Sequence, residues 1–241
     1  MTGFRFANLR HRSPDGRPGA FVCDDLSDFD LLRALAEVSP ERREKALSFR
    51  FEPDRRLSVA VYLLLKEALL QEYGLVGNPR LAYGPNGKPF LPEHPEIHFN
   101  LSHCPNAAVC AVADGPVGID VEVIAPVDEI VARRVLSNAE FLSVKASEEQ
   151  DVAFARCWTQ KEALVKLTGD GIDDCRLPTL LADTRGVKLE TTVNRERGYV
   201  LTLASGALRH VDDLGLAREH CFWYNTNIRL TGEGNGHFQG I

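Results

Sequence analysis

Long apolar runs are missing from this chain. No stretch of about 18 apolar residues occurs, so no membrane span is expected. Residues Met1 to Ala20 carry charge and proline where a secretory leader would have its apolar core, so no leader is expected either. Paired metal cysteines are also missing. Cys23, Cys104, Cys110, Cys157, Cys175 and Cys221 form no CxxC pair and no Cys/His cluster with zinc spacing. They read as reduced thiols of a cytoplasmic protein. There is no basic excess. The formal net charge of -6 excludes a general binder of nucleic acid or of anionic membranes. Neither a GxxxxGK[ST] loop nor a kinase glycine-rich loop is present.

What is there is an ordinary globular composition, 44% hydrophobic and 26% charged over 241 residues. That length fits one large domain or two lobes, each able to bury a core. Apolar periodicity and turn signals predict helices over 25–38, 40–50 (Ser39 capping, Pro40 at the first helical position) and 54–71. Strands are predicted over 97–101, 107–113 and 116–123, the last two as a hairpin through Asp114-Gly115. Beyond Ile124-Ala125-Pro126 come helices over 127–135, 137–146 and 149–168, with a Ser137/Glu140 capping box. Antiparallel strands follow over 187–193, 198–204 and 220–228, and a glycine-rich tail from 231 to 241 is expected to be disordered. No internal repeat is evident. Helices followed by strands in each half indicate an α+β chain with two lobes, 1–124 and 125–230.

Two stretches carry chemistry. In Gly118-Ile119-Asp120-Val121-Glu122-Val123, a strand puts Asp120 and Glu122 on one face and Ile119, Val121 and Val123 on the other. Adjacent carboxylates repel unless a cation lies between them; two solvated carboxylates on a wet sheet face are the plainer alternative. In Trp158-Thr159-Gln160-Lys161-Glu162-Ala163-Leu164-Val165-Lys166, helical spacing aligns Trp158, Glu162 and Lys166. Glu162 and Lys166 form either a helix-surface ion pair or a third oxygen ligand beside a phosphate-binding lysine. Carboxylates alone select a hard cation such as Mg²⁺, which keeps waters and takes phosphate oxygens from substrate. The stretch 39–66 holds seven basic and four acidic side chains, a local charge of +3 in an acidic chain. It is either a salt-bridged surface or an anion site.

Three blocks resemble the Sfp-type phosphopantetheinyl transferases in order and spacing. They are Gly87-Lys88-Pro89 leading into Phe99-Asn100-Leu101-Ser102-His103, then Gly118-Ile119-Asp120-Val121-Glu122, then Trp158 to Lys166. The stretch Ser39 to Lys45 is similar to the family's basic N-terminal helix. The likeness runs from about residue 39 to about residue 172, and residues 205–241 fit no pattern. The resemblance implies a pseudodimer of two similar α/β lobes, with coenzyme A as substrate in the cleft. It implies Mg²⁺ on Asp120, Glu122 and Glu162. It implies coenzyme phosphates held by Arg42, Lys45, Arg56, Lys88, Ser102, His103 and Lys166, the 3′-phosphate falling to Arg42, Lys45 and His103. Arg55 competes with Arg56 for one phosphate contact. Glu140 and Glu162 are the candidates for accepting the proton of the attacking serine, with Lys166 steadying the phosphate. The partner is an apo acyl, peptidyl or polyketide carrier protein, with no nucleic acid or membrane, and the enzyme is expected to be a monomer. Rival readings are another Mg²⁺-dependent nucleotide-phosphate transferase and a non-catalytic relative that binds coenzyme A or a carrier. Cys157 beside Trp158 has no identifiable His/Asp set to make it a nucleophile.

Overall fold

The computed structural model describes residues 3–171 and 174–206. The strand expected over 220–228, Cys221, His210, His220 and the 231–241 tail lie outside them. Along the chain come β1 (Ala7–Arg10), β2 (Gly19–Cys23), α1 (Leu31–Glu37), α2 (Pro40–Ser48), α3 (Glu52–Tyr73), the short β3 (Ala82–Tyr83) and β4 (Pro89–Phe90), β5 (His98–Cys104) and β6 (Ala107–Ala113). Then follow β7 (Val117–Val123), α4 (Glu129–Val135), α5 (Asn138–Ala146), α6 (Gln150–Thr168), a 3-10 turn (Leu177–Ala182), β8 (Val187–Asn194) and β9 (Tyr199–Gly206).

The same plan occurs twice: a strand, three helices, two strands. In each copy the first strand pairs with the last, and the last with the second, all antiparallel, giving β2-β6-β5 and β7-β9-β8; β1 extends the first sheet. The α+β class and the two similar lobes are therefore present. Lys66-Glu67-Ala68-Leu69 on α3 is echoed by Lys161-Glu162-Ala163-Leu164 on α6, a repeat too short to stand out in the sequence.

Helix starts follow local chemistry. Ser39 Oγ accepts from Arg42 N–H and Ser137 Oγ from Glu140 N–H, satisfying donors that a helix N-terminus leaves unpaired. The helix expected over 25–38 begins only at Leu31. Asp25 instead accepts from the Ser27 N–H in a turn, and Asp30 supplies the cap. The Asp114-Gly115 hairpin is not formed. The neighbours of β6 are already β2 and β5, so β7 finds no free edge there and opens the second sheet. The tight hairpin is β5–β6, closing at Cys104 and Ala107. Divided by sheet, the chain changes lobe between β6 and β7, ahead of the boundary expected near residue 124.

Strand β6 is buried at every position. Ala108, Cys110 and Val112 face the α3 core with Val61, Leu64 and Leu65. Ala107, Val109, Ala111 and Ala113 face Val117, Ile119, Val121, Leu201 and Leu203 of the second sheet. The lobes thus stack sheet on sheet, with α3 and α6 outside. At their seam Asn100 Oδ1 on β5 accepts the Ile119 N–H of β7 at 2.8 Å.

Helix α6 crosses β7 at Gly118. A Cβ there would lie 2.1 Å from Ala163 O and 2.5 Å from Leu167 N, so only glycine allows this approach. Gly118→Ala should cost about 1–3 kcal/mol as an overpacked contact, read as a lower urea midpoint. An unchanged midpoint would mean that the helix has room to spare.

Candidate active site

The close crossing of α6 on β7 decides which side chains meet. Residues 118, 120 and 122 of β7 face the helix, and Trp158, Glu162 and Lys166 lie along the facing side of α6. Lys166 Nζ donates to Asp120 Oδ1 at 2.7 Å and to Ser102 Oγ at 2.9 Å, and the Ser102 hydroxyl donates to the same carboxylate oxygen at 2.8 Å. Trp158 Nε1 donates to Glu122 Oε1 at 3.3 Å. The alternative of two carboxylates on a wet face fails at Asp120, which is 2% exposed, while Glu122 beside it is half-buried. Lys166 reaches across to β7 for its ion pair with Asp120.

The helix is fixed on its other sides as well. Thr159 Oγ1 lies 2.8 Å from Thr202 Oγ1, which lies 2.9 Å from Thr191 Oγ1, a buried hydroxyl chain into β9 and β8. Lys161, fully buried, donates to Leu177 O at 2.6 Å and pairs with Glu140 at 2.9 Å.

The centre holds more negative charge than it neutralises. Burial, with Asp120 alongside, pushes the Glu122 carboxyl up to about 8. Burial pushes Glu162 up to about 7, against the pull of Lys166. Burial also works against the Lys166 ammonium, but Asp120 and Glu162 outweigh it and raise its pKa. Asp120 Oδ2 is buried with no hydrogen-bond partner. An orphaned carboxylate oxygen beside two carboxyls held up in pKa is a donor set suited to a hard divalent cation. Among the described residues no group of three or more His, Cys, Asp or Glu side chains is arranged to hold a metal ion; the cation at Asp120 is the Lys166 ammonium. The donor chemistry, carboxylate oxygens alone, fits Mg²⁺.

Next to this centre lies a basic set. Burial lowers His103 to about 4, helped by the charges of Lys166 and Arg42. Arg42 is buried, its guanidinium 5.2 Å from the Tyr62 ring centroid. Lys45 sits 5.3 Å from the Tyr83 ring centroid, and burial, with Arg42 nearby, lowers it to about 8. Burial is the main cause at both His103 and Lys45, and Arg42 adds to each, so this pocket disfavours positive charge until an anion enters it.

Residues 116–208 match the family model described as the 4'-phosphopantetheinyl transferase superfamily. The chain is 34% identical over 159 residues to a 4'-phosphopantetheinyl transferase of Bacillus subtilis, covering 64% of this chain and 70% of that protein. It is 40% identical over 160 residues to 4'-phosphopantetheinyl transferase psf-1 of Bacillus pumilus, covering 64% and 69%. It is 31% identical over 157 residues to 4'-phosphopantetheinyl transferase Sfp of Bacillus subtilis strain 168, covering 64% and 70%. The chain belongs to the Sfp-type 4'-phosphopantetheinyl transferases.

Within this transferase, Asp120, Glu122, Glu162, Lys166 and Ser102 converge, and Arg42, Lys45 and His103 gather beside them. Four other candidate residues are engaged elsewhere. Lys88 Nζ donates to Lys166 O at 2.6 Å, Leu167 O at 2.9 Å and Val117 O at 3.3 Å. Arg56 pairs with Glu52 one turn back on α3, and Arg55 donates to Phe49 O at 2.8 Å. Glu140 accepts the Ser137 N–H at 2.7 Å and holds Lys161. Burial raises the Cys157 thiol, the wrong direction for a nucleophile. Sequence reasoning missed Gly118, Asn100 and the Thr159–Thr202 contact. A glycine inside a strand pattern was the one available signal.

The raised carboxyls set a pH dependence. Free carboxylates lose their protons near about 4.3, whereas folded Glu122 holds its proton to about 8. The folded state therefore binds more protons through that interval, and stability falls as pH rises. From about pH 7 to 7.5, above the unfolded range of His103 and short of the midpoints near about 8 of Lys45 and Lys88, the urea midpoint of the metal-free protein should fall. Glu122→Gln should flatten the trend, and excess Mg²⁺ should oppose it. A midpoint that rises over this interval would contradict the assignment.

Proposed function

We propose that this chain transfers the 4'-phosphopantetheine arm of coenzyme A to a serine of an apo carrier protein, releasing adenosine 3',5'-bisphosphate. The observation that carries the reading is one buried centre, with an orphaned Asp120 oxygen and the Lys166 ammonium, set against the basic Arg42, Lys45 and His103. Coenzyme A has matching chemistry. Its pyrophosphate needs cations at the first group, and its 3′-phosphate fits the second.

Lys166 steadies the transferring phosphate, with Ser102 and Asp120 fixing its direction. Arg42, Lys45 and His103 hold the 3′-phosphate and so fix which phosphorus faces the incoming serine. The serine oxygen bonds to the phosphorus nearest pantetheine, and the bond to the departing adenosine phosphate breaks. The serine proton passes to a carboxylate. Glu162 is the better placed, because both oxygens of Glu140 are engaged by the Ser137 N–H and Lys161. Asp120, Glu122 and Glu162 would hold Mg²⁺, which supplies charge neutralisation of the pyrophosphate and leaving oxygens when bound. The carrier is an acyl, peptidyl or polyketide carrier domain, and the enzyme acts as a cytoplasmic monomer.

Intact-mass spectrometry of apo carriers incubated with the protein, coenzyme A and Mg²⁺ tests this reading. A gain of one phosphopantetheine, lost with EDTA, is the expected result; no gain on any carrier would count against it. Asp120→Ala and Glu162→Ala should each cut transfer by about a hundredfold or more while the fold survives. Wild-type rates in either would remove the cluster from the mechanism. His103→Ala should raise KM for coenzyme A and leave 3′-dephospho-coenzyme A nearly unaffected; equal losses on both would show that His103 does not read the 3′-phosphate.

A further inference from the structure

The turn that carries Lys88 belongs to the first lobe, yet it ends on the second. Gly84 N donates to Lys88 O at 2.9 Å and Gly87 N to Gly84 O at 3.0 Å, so the turn closes on itself. Gly87 has φ +78, the left-handed conformation the reversal requires. From this frame Asn86 Nδ2 donates to Gly169 O at 3.0 Å. The Lys88 stem packs over Gly169, where a Cβ would come within 3.0 Å of Lys88 Cδ. An ammonium has three N–H donors, and Lys88 has three carbonyl acceptors within 3.3 Å: Val117 of β7, and Lys166 and Leu167 of α6. The last carbonyls of a helix lack intrahelical partners and carry its negative end, so a lysine there is favoured on both counts.

We propose that the 84–88 turn is a positioning device for the transfer, in which Lys88 and Asn86 fix the last turn of α6 and thereby aim Lys166. The inference rests on the transferase reading above. Lys166 is held at both ends: its carbonyl by Lys88, its ammonium by Ser102 and Asp120. Through Val117, the same Lys88 ammonium joins the start of the strand that carries Asp120 and Glu122. One first-lobe side chain thus ties together the two second-lobe elements that build the centre. In this role Lys88 is a positioning residue, its ammonium taken up by the three carbonyls.

The test uses the full chain with coenzyme A, Mg²⁺ and an accepting apo carrier, well below every variant's unfolding midpoint. Lys88→Met should lower kcat about tenfold and shift KM for coenzyme A by less than about twofold. Lys88→Arg should recover most of the rate, and Asn86→Ala, a milder change, should give a smaller loss of the same kind. In a Lys166→Ala background, Lys88→Met should add nothing to the single-turnover loss, because the two act through one group. Hydrogen exchange at the Gly169 amide should quicken in Lys88→Met. A large rise in KM with kcat retained would overturn the proposal by making Lys88 a coenzyme contact. Losses that multiply with Lys166→Ala would overturn it too. Should the wild type modify no carrier, the transferase reading fails separately. Exchange at Gly169 still judges the clasp, and an unchanged rate there would sink it.

Discussion

Helix α6 can lie against β7 because position 118 has no side chain. Any Cβ there would enter the backbone of Ala163 and Leu167, and the helix would have to lift. Everything chemical in the molecule depends on this approach. It sets Glu162 and Lys166 over Asp120 and Glu122, and it buries Asp120 and Glu162. The threonine chain to β9 and β8, the Lys161 link to α5 and the 3-10 turn, and the first-lobe turn at the helix end keep α6 from sliding once it is there. A backbone contact, and no side-chain bond, is thus the primary constraint on the site.

Burial at that contact has an electrostatic consequence. Three carboxyls and one ammonium leave the centre short of positive charge, which appears as carboxyls pushed up to about 8 and about 7 and as an orphaned oxygen on Asp120. Buried charge of this kind is costly for stability and is typical of sites that take up a counter-charge with substrate. The basic set around Arg42 and His103 has the opposite deficit. A ligand bearing separated phosphates, together with a divalent cation, satisfies both. The topological repeat gives each lobe one share. The position three residues after the helix-capping serine is Arg42 in the first lobe and Glu140 in the second.

Much of this was legible in the sequence because strand and helix periods are local. Period two on β7 put Asp120 and Glu122 together, and period four on α6 aligned Trp158, Glu162 and Lys166. What was not legible depended on partners distant in the chain. Asp114-Gly115 announces a reversal but does not say that both edges of β6 are taken. Lys88, Arg56 and Glu140 are charged residues in the right blocks. The partners they take are α6 carbonyls, Glu52 and Lys161, and only the folded packing chooses these. The short β1 and β2 gave too little pattern to separate from loop.

The most direct test of the central claim is a titration with Mn²⁺, followed by its paramagnetic signal, in the presence of coenzyme A. The protein should take up Mn²⁺ in competition with Mg²⁺. Asp120→Asn, Glu162→Gln and Gly118→Ala should each weaken uptake, the last without removing any ligand. Uptake unchanged in Gly118→Ala, or in either carboxylate variant, would contradict the view that the α6–β7 approach builds the cation site.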